Sequence, residues 1–148
     1  MDYYRPKYFR IEELVSPEMF HKFRDRQHIL WQQFDSRGLY SLDVLRGLFG
    51  PCTVNNWLWG GQYRFSGLRL PGDDYFSETS QHSHGRGFDL KFKDVEDYEV
   101  VRRYIVENPM KEELKYITCI EKDTPTWLHI DTRNWDKTSN GVLQVPWR

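Results

Sequence analysis

The stretch Ser80-Gln81-His82-Ser83-His84-Gly85-Arg86-Gly87-Phe88-Asp89-Leu90-Lys91-Phe92 runs a polar, glycine-rich turn directly into an alternating strand. Phe88, Leu90 and Phe92 fall on one face of that strand and Asp89 and Lys91 on the other, the pattern of a half-buried strand. Gly85 and Gly87 let the backbone fold tightly enough for His82 and Asp89 to converge on one point. Both are residue types that zinc accepts as ligands. A histidine and an aspartate seven apart are, taken alone, more often surface polar residues.

Upstream of this stretch the signals are helical. After the short segment IEELV, Ser16 followed by Pro17 and Glu18 makes a helix start, with the hydroxyl as N-cap and proline in the first turn. HILWQQF continues with helical spacing of Ile29, Leu30 and Phe34. Ser41 opens a further helix over LDVLRGLFG, closed by Gly50 and Pro51. The period then changes, and CTVNNWLW (52–59) alternates like a strand. A glycine- and aspartate-rich excursion from Gly60 to Thr79 follows, long for a structureless loop and so a place where function is expected.

Downstream, Asp94 is expected to cap a helix over VEDYEVVRRYIVEN, whose apolar stripe and charged face suit a helix lying on a sheet. YITCIE and TWLHIDTR read as two strands joined by the short turn KDTP, and GVLQVPW as an added edge strand. Helices first and a small antiparallel sheet afterwards define an α+β fold. At 148 residues, one domain over 1–148 is expected, large enough to bury a core without disulfide staples. Cys52 and Cys119 stand far apart in apolar contexts and read as buried reduced thiols.

Charged residues make up 29% of the chain and sum to −1, so no polybasic nucleic-acid surface is expected. No window approaches the run of apolar residues that spans a bilayer, and the first residues lack the apolar core of a secretion signal. A soluble protein made in a cytoplasm is expected. The aromatic share of 16%, with six tryptophans, suits either a core of rings or a groove for an extended polar substrate.

Ser80-x-His82-x-x-Gly85-x-Gly87-x-Asp89 resembles the S-x-H-x-x-G-x-A-x-D signature of the M15 zinc peptidases. These are D-Ala-D-Ala carboxypeptidases and phage L-alanyl-D-glutamate endopeptidases that cut peptidoglycan stem peptides. Gly87 stands where the family usually has alanine, a change of little expected consequence. A second family element, an aromatic residue shortly before a ligand histidine, is similar to TWLHID with Trp127 and His129. KYFRIEELVS near the start and SGLR ahead of the histidine turn are similar to the phage-encoded branch.

The resemblance implies a fold like that of M15 enzymes and the Hedgehog signalling domain, with Zn2+ held by His82, Asp89 and His129. It implies Arg69 of SGLR as the group that polarises the scissile carbonyl, with Arg64 as the competitor. Many members place a glutamate three residues before the last ligand histidine, but that position is Thr126, which cannot exchange a proton at neutral pH. Glu121, at the end of the preceding hairpin strand, is the expected base, and Asp123 in the turn the alternative. Asp131 is expected to accept an imidazole N–H from a ligand histidine. Ser80 is expected to bond within the turn or to a substrate carboxylate, and Trp127 to wall the cleft or pack in the core. His84 matches no signature position and is expected to face solvent or the substrate edge.

The partner implied is a peptidoglycan peptide, bound by a monomer with no integral membrane segment. The setting implied is that of an endolysin, made in the host cytoplasm and acting on the cell wall after release, or of a virion-borne lysin. The competing expectation is an inactive zinc-bearing module that binds wall peptides or a protein partner.

Overall fold

The computed structural model describes residues 1–147. The fold is α+β, with five α-helices and a mixed five-stranded sheet among the described residues. Three helices come first: α1 (Pro17–Lys22), α2 (Gln27–Trp31) and α3 (Ser36–Phe49). The hydroxyl of Ser16 accepts the Met19 N–H and Pro17 opens α1, the start read from the sequence. The long helix starts earlier than its sequence suggested. Asp35 caps it by accepting the Arg37 N–H, while Ser41 lies inside and donates to the Arg37 carbonyl one turn back. A serine in a helix interior makes this bond to the preceding turn, so its hydroxyl is not a start signal there.

The strands are β1 (Cys52–Thr53), β2 (Gly87–Phe92), β3 (Cys119–Glu121), β4 (Leu128–Asp131) and β5 (Leu143–Val145). Their spatial order is β1-β2-β4-β3-β5. The first four pair antiparallel, but β5 runs parallel to β3, so the sheet is mixed and not purely antiparallel. Helix α5 (Lys137–Asn140) lies in the connection that returns the chain for parallel pairing. The tail thus forms the expected edge strand with the opposite direction to a hairpin.

Only the first two residues of CTVNNWLW are strand, and Trp57–Trp59 form a 3-10 turn. Buried side chains override the alternation. Asn55, fully buried, donates to the Val15 carbonyl and accepts the Ser66 N–H, and the Trp57 indole donates to the same Val15 carbonyl. These bonds turn the chain away from the sheet after Thr53. Helix α4 (Tyr98–Glu107) begins three residues later than expected, capped by Asp97 and not by Asp94.

Phe88, Leu90 and Phe92 of β2 join Ile120 and Ile130 in one core with Leu42 and Leu45 of α3 and Val101 and Ile105 of α4. Full burial of one such side chain stabilises the fold by about 2 kcal/mol. Helix α3 approaches β2 at Gly38, where an added Cβ would stand 2.8 Å from the Phe88 ring. The opposite face of the same strands carries Asp89, Glu121, His129 and Asp131, with Cys119 at its buried end. Cys52 and Cys119 are free thiols, on strands separated by two others, and burial pushes both up to about 12. No helix among the described residues is long and apolar enough to cross a membrane.

Candidate metal centre

Ser80 caps the 3-10 turn Gln81–His84 by accepting the His82 N–H, the bond within the turn that its sequence position suggested, and it lines the cleft described below. The turn ends at Gly85, whose φ of 67° is left-handed, and a Cβ there would stand 1.8 Å from the Gln33 carbonyl oxygen. No other residue type fits that combination without strain. Gly87 matters more than the sequence suggested. A Cβ at this position would press on Gln81 Cβ at 2.9 Å and the His82 amide at 3.0 Å, so the turn is closed more tightly than alanine permits.

Strand pairing supplies the rest. Asp89 of β2 lies directly opposite His129 of β4, although 40 residues separate them in sequence. In the β3–β4 hairpin Cys119 faces Asp131 and Ile120 faces Ile130, which brings Glu121 opposite His129 from the other side. The excursion 60–79 has no helix or strand but is fastened to its neighbours. The Ser66 carbonyl accepts the Asp89 N–H, and the Arg69 N–H donates to the His82 carbonyl. That pinning sets Arg69 beside the turn.

One ligand atom each from His82, Asp89 and His129 lies within 4.8 Å of the others, a group that could hold a metal ion. His82 Nδ1–H donates to the Gly67 carbonyl at 2.9 Å, which fixes the tautomer and leaves Nε2 bare, 3.5 Å from Asp89 Oδ2. His129 uses its ring the other way round. Nε2–H donates to Asp131 Oδ2 at 2.8 Å, and Nδ1 faces Asp89 Oδ1 at 2.9 Å. Both imidazoles are thus oriented by an acceptor on their far nitrogen, the arrangement that prepares histidine for a metal.

The electrostatics match this geometry. Burial pushes the His82 imidazole below its ordinary value, against the pull of Asp89, so the ring is neutral with a free lone pair. Burial acts in the same sense on His129, but hydrogen bonds to Asp131 and Asp89 and the charges of Asp89 and Glu121 override it and raise it to about 10. Without a cation, His129 therefore carries a proton on Nδ1 between two carboxylates. Asp89 is half-buried, and its loss of solvent opposes ionisation, yet the two histidines hold its carboxyl well below the usual carboxylate range. Asp131, fully buried, is brought down to about 2 by hydrogen bonds from Arg133 and His129. Two nitrogens and an ionised oxygen, with a proton occupying the place of a cation, form a donor set that fits a divalent metal.

These residues open onto a cleft of about 490 Å³ that Arg69, Glu121 and Arg133 also line. Glu121 Oε1 stands 3.7 Å from His129 Nδ1. Burial raises the Glu121 carboxyl above its ordinary range, partly opposed by His129. Arg69 places Nη2 3.7 Å from Asp89 Oδ2, while its Nε donates to the Phe65 carbonyl. Arg64 is turned to Glu18 at the surface and does not line the cleft. Asp123 accepts the Trp147 N–H and is held away from the ligands. His84 is exposed and bonds the Glu78 carbonyl.

Trp127 does not wall this cleft. Its ring stands edge-on to Trp147, 4.9 Å between centroids, and lines an adjoining cavity of about 240 Å³ with Tyr63, Lys91 and Thr126. The segment Val145–Trp147 forms the wall expected of Trp127, brought there by the parallel strand β5. Arg133 was not singled out by sequence, although its position two residues past Asp131 continues the alternation of TWLHIDTR. Comparison with protein-family profiles, with curated protein sequences and with solved structures returns no match to this chain.

Proposed function

We propose that this protein is a zinc-dependent hydrolase of peptidoglycan stem peptides. The observation that carries the reading is the convergence of His82, Asp89 and His129 beside Glu121 and Arg69 in one open cleft. The residue pattern that resembles the M15 peptidases is the pattern that converges. Zinc bound by these three residues would retain an open position and supply a Lewis acid that polarises a carbonyl and acidifies water.

The chain's own groups divide the remaining work. Glu121, on the cleft side of His129, accepts a proton from the attacking water and returns it to the leaving amine. Its raised pKa brings the carboxylate closer to the strength such a base needs at neutral pH. Arg69 offers its guanidinium to the carbonyl oxygen as negative charge develops there, a stabilisation that is commonly the largest in acyl transfer. Asp131 holds the His129 ring in place and takes no part in proton exchange with the substrate.

Digestion of purified sacculi by the zinc-loaded protein, followed by mass spectrometry of the released peptides, tests the reading and names the bond. Thr126 favours a second reading, a module that binds wall peptides without cutting, because it stands where many M15 members carry the base and faces the adjoining cavity. Retention on sacculi with no released peptide from fully zinc-loaded protein selects that reading.

A further inference from the structure

Arg133 lines the cleft, and the reaction proposed above does not use it. Its Nε and Nη2 donate to the two carboxylate oxygens of Asp131 at 2.8 and 2.7 Å. Asp131 is fully buried and tied to His129, so the guanidinium plane is fixed from beneath. The side chain remains 27% exposed, and Nη1 has no hydrogen-bond partner among the described residues. A planar guanidinium anchored on one edge presents its remaining donors in a set direction, which a lysine could not do.

The charge of the cleft points the same way. With both histidines neutral, as a bound cation requires, its ionised lining groups are Arg69 and Arg133 against Asp89 and Glu121, which sum to zero. Asp131 beneath Arg133 brings the sum to −1, and a divalent cation on the three ligands brings it to +1. The loaded cleft is therefore complementary to an anion, and in a peptide substrate that anion is a carboxylate.

We infer that Arg133 is the specificity residue of this cleft and binds a free carboxylate of the substrate, through Nη1, close to the bond presented to the metal. The substrate class is then acidic peptides, in which amidation of one carboxylate removes recognition. This inference rests on the hydrolase reading of the cleft, but it concerns binding and is tested apart from turnover.

The test uses the stem pentapeptide L-Ala-γ-D-Glu-L-Lys-D-Ala-D-Ala and two analogues, one amidated at the glutamate α-carboxylate and one at the C-terminus. Binding to the zinc-loaded protein is measured by calorimetry, and cleavage by chromatography. One of the amides is expected to bind at least roughly tenfold more weakly than the free acid, the scale of a lost hydrogen bond to a charged group. In Arg133→Gln with zinc content unchanged, that preference is expected to fall below about twofold. Arg133→Lys, which keeps a cation over Asp131, is expected to retain zinc and lose most of the preference as well. Equal binding of all three peptides by the wild type overturns the inference, as does a preference that survives in both variants or a failure of all three to bind. Preference without cleavage removes the hydrolase reading and leaves Arg133 its role, whereas cleavage without preference does the reverse.

Discussion

Glu121 Oε1 lies 3.7 Å from His129 Nδ1, the same ring nitrogen that faces Asp89 at 2.9 Å. The hairpin register produces this proximity from a residue eight positions earlier. Glu121→Gln is expected to bind as much zinc as the wild type and to lose about 10²- to 10⁴-fold in hydrolysis, the usual worth of a general base. Metal analysis alongside release of soluble peptides from sacculi checks both halves. Full activity in a zinc-replete variant would remove Glu121 from the chemistry.

Metal binding should be visible without any substrate. Zinc in excess is expected to raise the melting temperature, because a ligand that binds the folded state alone stabilises it by mass action. Asp89→Ala and His129→Ala should lose that response, and His84→Ala should keep it, because His84 is exposed and bonded to Glu78. A zinc-induced shift unchanged in Asp89→Ala would place the metal elsewhere.

The two histidines give the metal-free protein a defined pH response. His129 is raised from 6.5 to about 10, so its contribution to stability is complete below 6.5 and is lost as pH rises through 10. His82 is lowered, so its contribution is present above 6.5 and is lost as pH falls. Asp131, lowered from 3.8 to about 2, adds a further loss at the acid end. Metal-free stability is expected to peak near pH 6.5. Zinc bound by His129 would take the place of that residue's proton, so binding between pH 7 and pH 9 should release about one proton, with apparent affinity rising roughly tenfold per pH unit. Calorimetry in buffers of different ionisation enthalpy counts that proton.

Gly85→Ala is expected to cost about 3 kcal/mol, because it combines a left-handed backbone with a Cβ driven onto the Gln33 carbonyl. The same substitution should weaken zinc binding, since the displaced turn carries His82. Urea unfolding and zinc titration of the variant measure the two effects, and a cost under about 0.5 kcal/mol would mean the turn relaxes freely.

Local chemistry explains which features could be read from the sequence. The β2 alternation, the Ser16-Pro17 helix start and the hairpin after Glu121 each depend on neighbours in sequence, and each appears in the structure. CTVNNWLW misled because Asn55 and Trp57 satisfy the Val15 carbonyl, 40 and 42 residues away, through tertiary bonds that periodicity does not carry. Ser41 and Asp94 misled because a cap is defined by its backbone and not by residue type alone. The three residues of the candidate metal group were legible through spacing and resemblance. Arg133 and the Val145–Trp147 wall were not, since their place in the cleft follows from how the sheet is ordered.

The direct pairing of Asp89 with His129 also bears on how the chain reaches this state. A slip of one residue between β2 and β4 would turn Asp89 toward the core and set it against Leu128 or Ile130. Misaligned intermediates would therefore lack the ligand set, and a cation present during folding would reward the correct alignment alone. A metal held there would act as a proofreader of strand assembly, and refolding with zinc is expected to yield a larger correctly paired fraction than refolding with chelator.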